Sequence, residues 1–220
     1  MSVTPQETPA EIGRRIVSGG VELLRSRLLR EPPLLPLMPT RSDYDLNPQN
    51  RPAVRPDLMP AAVLLPLLLR HEPHVLLTQR TDHLSRHAGQ VAFPGGRVDP
   101  KDVSLVQTAL RETHEETGIE PAFVTVAGFL DAYETGTGYA ILPVVGILSE
   151  GFALMPQERE VAEIFEVPLS FLLDPANRVK QTREFQGRQR SFYAFTYEGH
   201  YIWGATAAML INFSERITAP

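Results

Sequence analysis

Cysteine is absent from this chain of 220 residues, which removes disulfides, thiolate zinc sites and cysteine nucleophiles together. No apolar run reaches the roughly 20 residues that a bilayer-crossing helix needs. The opening MSVTPQETPAEIGRR contains no apolar stretch of the signal-peptide kind, so a soluble, cytoplasmic protein without membrane attachment is expected. An excess of positive charge is also missing. The formal charge is -5 and the sequence pI is near 5.7, which argues against a protein built to coat nucleic acid or an acidic membrane. What is present, 43% hydrophobic and 21% charged residues, suffices for one sizeable core, with or without an appendage. No internal repeat is visible.

Proline divides the chain. Ten of the 20 prolines fall in the first 60 residues. Within that span Ala10 to Arg30 has helical spacing, with Ile12, Ile16, Leu23, Leu24 and Leu28 as the apolar positions and Gly19 and Gly20 as an interruption. The following EPPLLPLMPTRSDYDLNPQNRPAVRPDLMP is too proline-rich for regular structure and reads as an extended arm whose leucines lie on a surface. The arm can cover either its own domain or that of a homodimer partner. These features suggest a division into 1–55, helix and arm, and 56–220, a single catalytic or binding domain.

From Ala61 the texture changes. AAVLLPLLLR and HVLLTQR read as two buried strands joined at His71-Glu72-Pro73, and QVAF reads as a third that ends at Pro94-Gly95-Gly96. A helix is expected from Asp99 to Thr117, capped by Asp99 or Asp102 and closed by Gly118 in the left-handed conformation. Strands follow at 124–132, 140–148, 164–167, 191–197 and 201–203, and a closing helix at 203–216. Mixed strands with one central and one terminal helix indicate an α/β or α+β sandwich.

The central helix holds the feature that composition alone does not explain. At about 100° per residue, Val103, Val106, Leu110, Thr113 and Thr117 form one stripe. Glu112, Glu115 and Glu116 lie opposite it at offsets i, i+3 and i+4, so their carboxylates are expected to converge. Like charges at these offsets destabilise a helix by roughly 0.2–0.5 kcal/mol per pair, and only Arg111 is near enough in sequence to offset them. The triplet is therefore either a solvated acidic face or the seat of a cation. Hard oxygen ligands arranged in this way suit Mg²⁺ or Mn²⁺. The string Arg111-Glu112-x-x-Glu115-Glu116-x-Gly118 fixes five positions, and its chance occurrence in a chain of this length is about 10⁻⁴. That weighs against the solvated face.

These residues resemble the Nudix box, G-x5-E-x7-R-E-U-x-E-E-x-G-U with U a bulky aliphatic residue, over Gly96 to Ile119. The chain departs from it in three places. One extra residue stands between Gly96 and Arg111, Asp99 or Asp102 occupies the first acidic position, and Thr113 replaces an aliphatic residue. The resemblance implies an α/β; Nudix-type α/β/α sandwich with a mixed sheet, and hydrolysis of a pyrophosphate bond in a nucleoside diphosphate derivative. It further implies Glu112, Glu115 and Glu116 as divalent-metal ligands, with Arg111 orienting them. Gly95 and Gly96 would allow close backbone approach. Glu160 is favoured over Glu158 as the additional carboxylate that serves as ligand or base, with Glu134 as its competitor.

Upstream, LLTQRTDHLSRHAGQVAFPGG resembles the signature of the coenzyme A pyrophosphatase subfamily, L-L-T-x-R-[SA]-x3-R-x3-G-x3-F-P-G-G. Thr81 replaces Ser/Ala, and the second arginine is one place late, as Arg86. The resemblance implies that Thr78, Arg80, Arg86, Phe93, Gly95 and Gly96 meet a small-molecule substrate, coenzyme A or a related nucleoside diphosphate derivative. Arginine suits such phosphates through bidentate hydrogen bonding. His83 and His87 add to the basic loop, or are ordinary loop residues. Two further readings remain open: the same chemistry on ADP-ribose or a dinucleotide, and a non-catalytic Nudix-like binding module.

Overall fold

The computed structural model describes residues 7–53, 57–84, 87–185 and 187–219. Its centre is the strand β2 (Met59–Leu69), an almost unbroken apolar run buried on both faces, as expected of a strand covered from two sides. Strand alternation sends Val63, Leu65 and Leu67 into one core cluster and Ala62 and Leu64 into another.

Around β2 a single mixed sheet assembles. β8 (Tyr139–Leu148) lies parallel to it from Met59↔Tyr139 to Leu68↔Leu148. β3 (Pro73–Arg80) pairs with β2 antiparallel only at Leu67–Leu69, and the strands then diverge. The wedge between them receives β4 (Val91–Ala92), paired with the end of β3, and β5 (Gly95–Arg97), paired with the start of β2. Divergence also explains a proline inside a central strand. Leu64 donates its N–H to Pro94, so two residues on Pro66 faces the same side, where neither β3 nor β5 pairs with β2 and no ladder bond is lost. β9 (Val161–Pro168) pairs with the outer edge of β3. β6 (Val124–Phe129) and β7 (Tyr133–Glu134) pair with β8, and the short β1 (Arg41–Ser42) adds to β7.

Helices cover both faces. α2 (Leu105–Thr117) places Leu105 and Ala109 against Leu64, Leu142 and Val144. The opposite face is covered by α1 (Pro9–Arg27), the short α3 (Leu169–Leu173) and α4 (Gly204–Thr218), which share one cluster. The fold is thus the expected α/β/α sandwich, with an N-terminal helix. A separate antiparallel sheet of β10 (Val179–Phe185), β11 (Arg188–Tyr197) and β12 (His200–Trp203) leads into α4. β10 has no counterpart in the sequence reading, because VKQTREF shows no apolar alternation.

The proline-rich arm packs on its own chain. Leu37 is buried, while Leu34 and Met38 are exposed. Asn47 exchanges hydrogen bonds with the backbone of Ser191 at 2.8 and 2.7 Å. No helix among the described residues is long and apolar enough to cross a membrane.

Asp131 ties the β6–β7 connection to α4. It accepts from Arg216 Nη2 at 2.6 Å and Nε at 3.1 Å, and from Asn212 Nδ2 at 2.9 Å. Burial alone would raise its pKa, but these donors and the charges of Arg216 and Arg41 outweigh burial and lower it. A lowered carboxylate adds stability above its unfolded pKa and loses it as pH falls through the folded value. Asp131→Asn should therefore destabilise the fold by about 2 kcal/mol at pH 7. The deficit should shrink as pH falls below the ordinary aspartate range, read as converging denaturant midpoints.

Candidate active site

The helix that bears the glutamates starts six residues later than Asp99, because the expected caps are otherwise engaged. Ser104 is the N-cap and accepts from the Gln107 N–H at 3.1 Å. The carboxylate of Asp102 instead accepts from Asp99 N–H at 2.9 Å and Thr108 Oγ1 at 2.8 Å. Gly118 closes the helix at φ 79°, as expected. The buried stripe is also corrected: Val103 is 89% exposed, and the inward face carries Leu105, Ala109, Thr113 and Glu116. Glu116 therefore lies at the inner edge of the helix, not on the side opposite the core.

Arg111 is the hub of the site. Its Nε and Nη2 donate to the two oxygens of Asp102, both at 2.9 Å, and Nη2 also reaches the Arg97 carbonyl at 3.2 Å. Nη1 donates to Glu112 at 2.8 Å and Glu115 at 3.2 Å. The fork-on-carboxylate geometry fixes the guanidinium plane. Hydrogen bonding to Arg111 holds the Asp102 carboxyl far below its usual range, and the same bond raises Arg111 further. Of the two acidic residues weighed from sequence, Asp102 is the one that meets Arg111.

Glu116 sits beneath the Gly95–Gly96 turn. Gly95 N–H donates to its Oε2 at 3.2 Å, and Arg80 Nη1, at the end of β3, stands 3.7 Å from its Oε1. Burial raises the Glu116 pKa to about 8; the charges of Glu112 and Glu160 add to that, against the Gly95 N–H and Arg80. Burial also raises Glu112, with repulsion from Glu115 and Glu160, against Arg111. Glu160 is thus electrostatically in contact with both. It is brought there by the 153–157 segment, which donates from Met155 and Gln157 to the last carbonyls of α2 at 2.8 and 3.0 Å. Glu158 lies on the exposed turn just before. Glu134 is buried in β7 with Arg51 Nη2 at 4.0 Å.

The three helical carboxylates do not converge as expected. Among the described residues no three acidic or imidazole side chains meet at metal-ligand spacing. They are drawn to different donors: Glu112 and Glu115 accept from Arg111 Nη1, Glu115 is 57% exposed at its side chain, and Glu116 takes the Gly95 N–H. The donor set nonetheless fits a hard divalent cation. It consists of oxygen ligands around the turn, with Glu112 and Glu116 held above their ordinary values chiefly by burial. Gly96 leaves room for it, since a Cβ there would lie within 2.6 Å of both Glu112 oxygens.

The residues expected to meet substrate divide. Thr78 and Phe93 are 2 and 3% exposed. Thr78 Oγ1 donates to the Ala92 carbonyl at 3.2 Å, and Phe93 packs in the core, so both hold the turn in place. Arg80 opens to the site, with a buried Nε that has no partner. Arg86 lies outside the described residues. His87 shares a hydrogen bond with Gln90 at 2.8 Å. Sequence reasoning missed the Arg97 carbonyl as an anchor of Arg111; a backbone group carries no sequence signal.

Residues 58–193 match the family model of the NUDIX domain. The chain is 41% identical over 157 residues to a protein of Yersinia enterocolitica serotype O:8 / biotype 1B named "Uncharacterized Nudix hydrolase NudL", covering 71% of this chain and 80% of that one. It is 40% identical over 158 residues to a protein of the same name from Yersinia pestis strain Pestoides F, covering 72% and 79%. Among solved structures, the NUDIX domain of Shewanella oneidensis NrtR complexed with ADP ribose superimposes with a TM-score of 0.40 at 25% identity, over 60% of this chain and 84% of that one.

Proposed function

We propose that this chain, which belongs to the Nudix hydrolase family, cleaves the pyrophosphate bond of coenzyme A or its derivatives to 3′-phosphoadenosine 5′-phosphate and a 4′-phosphopantetheine product. Nudix hydrolases generally require divalent cations. Mg²⁺ or Mn²⁺ would be held here by Glu112, Glu116 and, after a rotamer change, Glu115. The chemistry such an ion supplies is charge neutralisation at phosphate oxygens and a more acidic bound water.

The chain's own residues do the rest. Arg111, fixed by Asp102 and the Arg97 carbonyl, orients Glu112 and Glu115. Gly95 and Gly96 let backbone approach a phosphate group closely. Arg80, whose Nε is unpartnered, is placed to hold a substrate phosphate beside Glu116. Glu160, on an exposed turn that reaches the same field, takes the proton of the attacking water. The observation that carries the reading is the shared field of Glu112, Glu116 and Glu160 around the Gly95–Gly96 turn, short of positive charge and next to Arg80. The LLTQR…FPGG resemblance supports coenzyme A within that chemistry.

The test compares initial rates on coenzyme A, dephospho-coenzyme A and ADP-ribose with Mn²⁺, with products identified by chromatography. Coenzyme A should be preferred by at least tenfold in kcat/KM. Equal rates would replace coenzyme A by the broader class of nucleoside diphosphate derivatives, and no turnover of any would leave a binding module.

A further inference from the structure

The β10–β12 sheet has two unlike faces. Register and alternation turn Phe195 and Ile202 into the core, at 1 and 0% exposure. On the other face stand Phe192, Tyr201 and Trp203, each half-buried, with Gln181, Arg183 and Arg190. Phe192 and Trp203 have ring centroids 5.3 Å apart, and Tyr201 and Trp203 6.4 Å. The Arg183 guanidinium lies 5.7 Å from the Phe192 ring and 5.4 Å from that of Tyr201. The Tyr201 hydroxyl donates to Gln181 at 2.7 Å, so its polar tip is fixed, and the Arg183 guanidinium lies over the Phe192 and Tyr201 rings. Cross-strand aromatic pairs that serve only to stabilise a sheet need no cation and no open side.

Relays of hydrogen bonds run from this sheet towards the catalytic turn on two sides. Arg190 donates to Asp43 at 2.7 Å, and Asp43 also accepts the Gly136 N–H at 2.7 Å in the β7–β8 turn. Tyr139, just past that turn, accepts from Arg97 Nε at 2.8 Å, and Arg97 follows Gly96. On the other side Thr206, three residues after Trp203, donates to the Val91 carbonyl in β4 at 3.0 Å.

We propose that the Phe192–Tyr201–Trp203 face is the subsite that receives the base of the nucleotide half of the substrate, with Arg183 against a phosphate on its ribose. The aromatic faces offer stacking to a planar base, and the arginine offers charge to the phosphate. The inference rests on the reading of the protein as a nucleoside diphosphate hydrolase.

Trp203 is the single tryptophan of the chain, so its fluorescence reports on this face alone. Adenosine 3′,5′-bisphosphate titrated into the full-length protein should quench it saturably, and 4′-phosphopantetheine should not. Phe192→Leu, which keeps an apolar side chain on the sheet, should weaken that binding about tenfold and raise KM for coenzyme A similarly, more than it lowers kcat. Arg183→Gln should narrow the preference for the bisphosphate over AMP. Three results would overturn the subsite: no quenching by nucleotides that are hydrolysed, an unchanged KM in Phe192→Leu with an unchanged melting temperature, or a signal that follows protein concentration instead of nucleotide, which marks a self-association face. Quenching without turnover of any pyrophosphate would leave the subsite standing and remove the hydrolase reading.

Discussion

Glu116→Gln is expected to abolish metal-dependent pyrophosphate hydrolysis and, without metal, to make the protein more stable. The loss of activity follows from removing an anionic oxygen ligand at the centre of the site, and should reach about 10³-fold in kcat. The gain in stability follows from the raised pKa. A carboxyl at about 8 in the folded state and near 4.5 unfolded favours folding fully only below the lower value. That contribution is lost as pH rises towards 8. At pH 7.5 the folded chain holds this carboxyl largely protonated where the unfolded chain leaves it ionised, at a cost on the order of 4 kcal/mol, an upper figure because relaxation and water relieve part of it. The neutral glutamine keeps an acceptor for the Gly95 N–H and avoids most of this cost. A rise in melting temperature of about 5 °C at pH 7.5 should result, vanishing near pH 4.5. Mn²⁺ should raise the melting temperature of the native protein by mass action and leave the variant nearly unmoved. Scanning calorimetry of both, with and without Mn²⁺, checks all three parts. A variant less stable than the native chain at every pH would show that Glu116 is a structural anchor and not a site for a cation.

The adjacent glycines should separate folding from catalysis. Gly95 has φ +155°, and a Cβ there would lie 2.5 Å from both the Ala62 carbonyl oxygen and Val63 Cα. Those atoms belong to the backbone of the central strand, so they cannot yield without breaking the β2–β5 pairing. Gly95→Ala is expected to cost about 3 kcal/mol or more. Gly96 has no such constraint. The three atoms nearest its added Cβ all belong to the Glu112 carboxylate, the far end of a side chain. Gly96→Ala should stay within about 1 kcal/mol of the native stability, yet lower kcat about 10²-fold by displacing Glu112 from the turn. Urea midpoints and steady-state rates on the same preparations decide the matter. If both variants lost stability and activity in proportion, the turn would be a scaffold element without a separate catalytic part.

Much of this protein is legible along the chain. The Arg111–Gly118 string, the Gly-Gly turn and the apolar runs of β2 and β8 are local patterns, so the α/β/α sandwich and its glutamate-bearing helix follow from them. The left-handed close at Gly118 likewise needs only a residue without a Cβ. The start of α2 does not follow, because Asp99, Asp102 and Ser104 are equally good caps in sequence. Only Arg111, nine residues on and folded back by one helical turn after another, claims Asp102 and leaves Ser104 to cap. The burial of Thr78 and Phe93 does not follow either; it comes with the insertion of β4 and β5 between diverging strands.

The sequence by itself determined the family, the sandwich and which side chains carry charge near the Gly95–Gly96 turn, since each depends on neighbours within a few residues. The tertiary structure alone decided that Glu116 is buried while Glu115 is not, that Glu160 shares their field, and that the aromatics of β11 and β12 lie on one open face. Burial and long-range Coulomb interaction depend on distances between segments far apart in the chain, and residue order does not contain those distances.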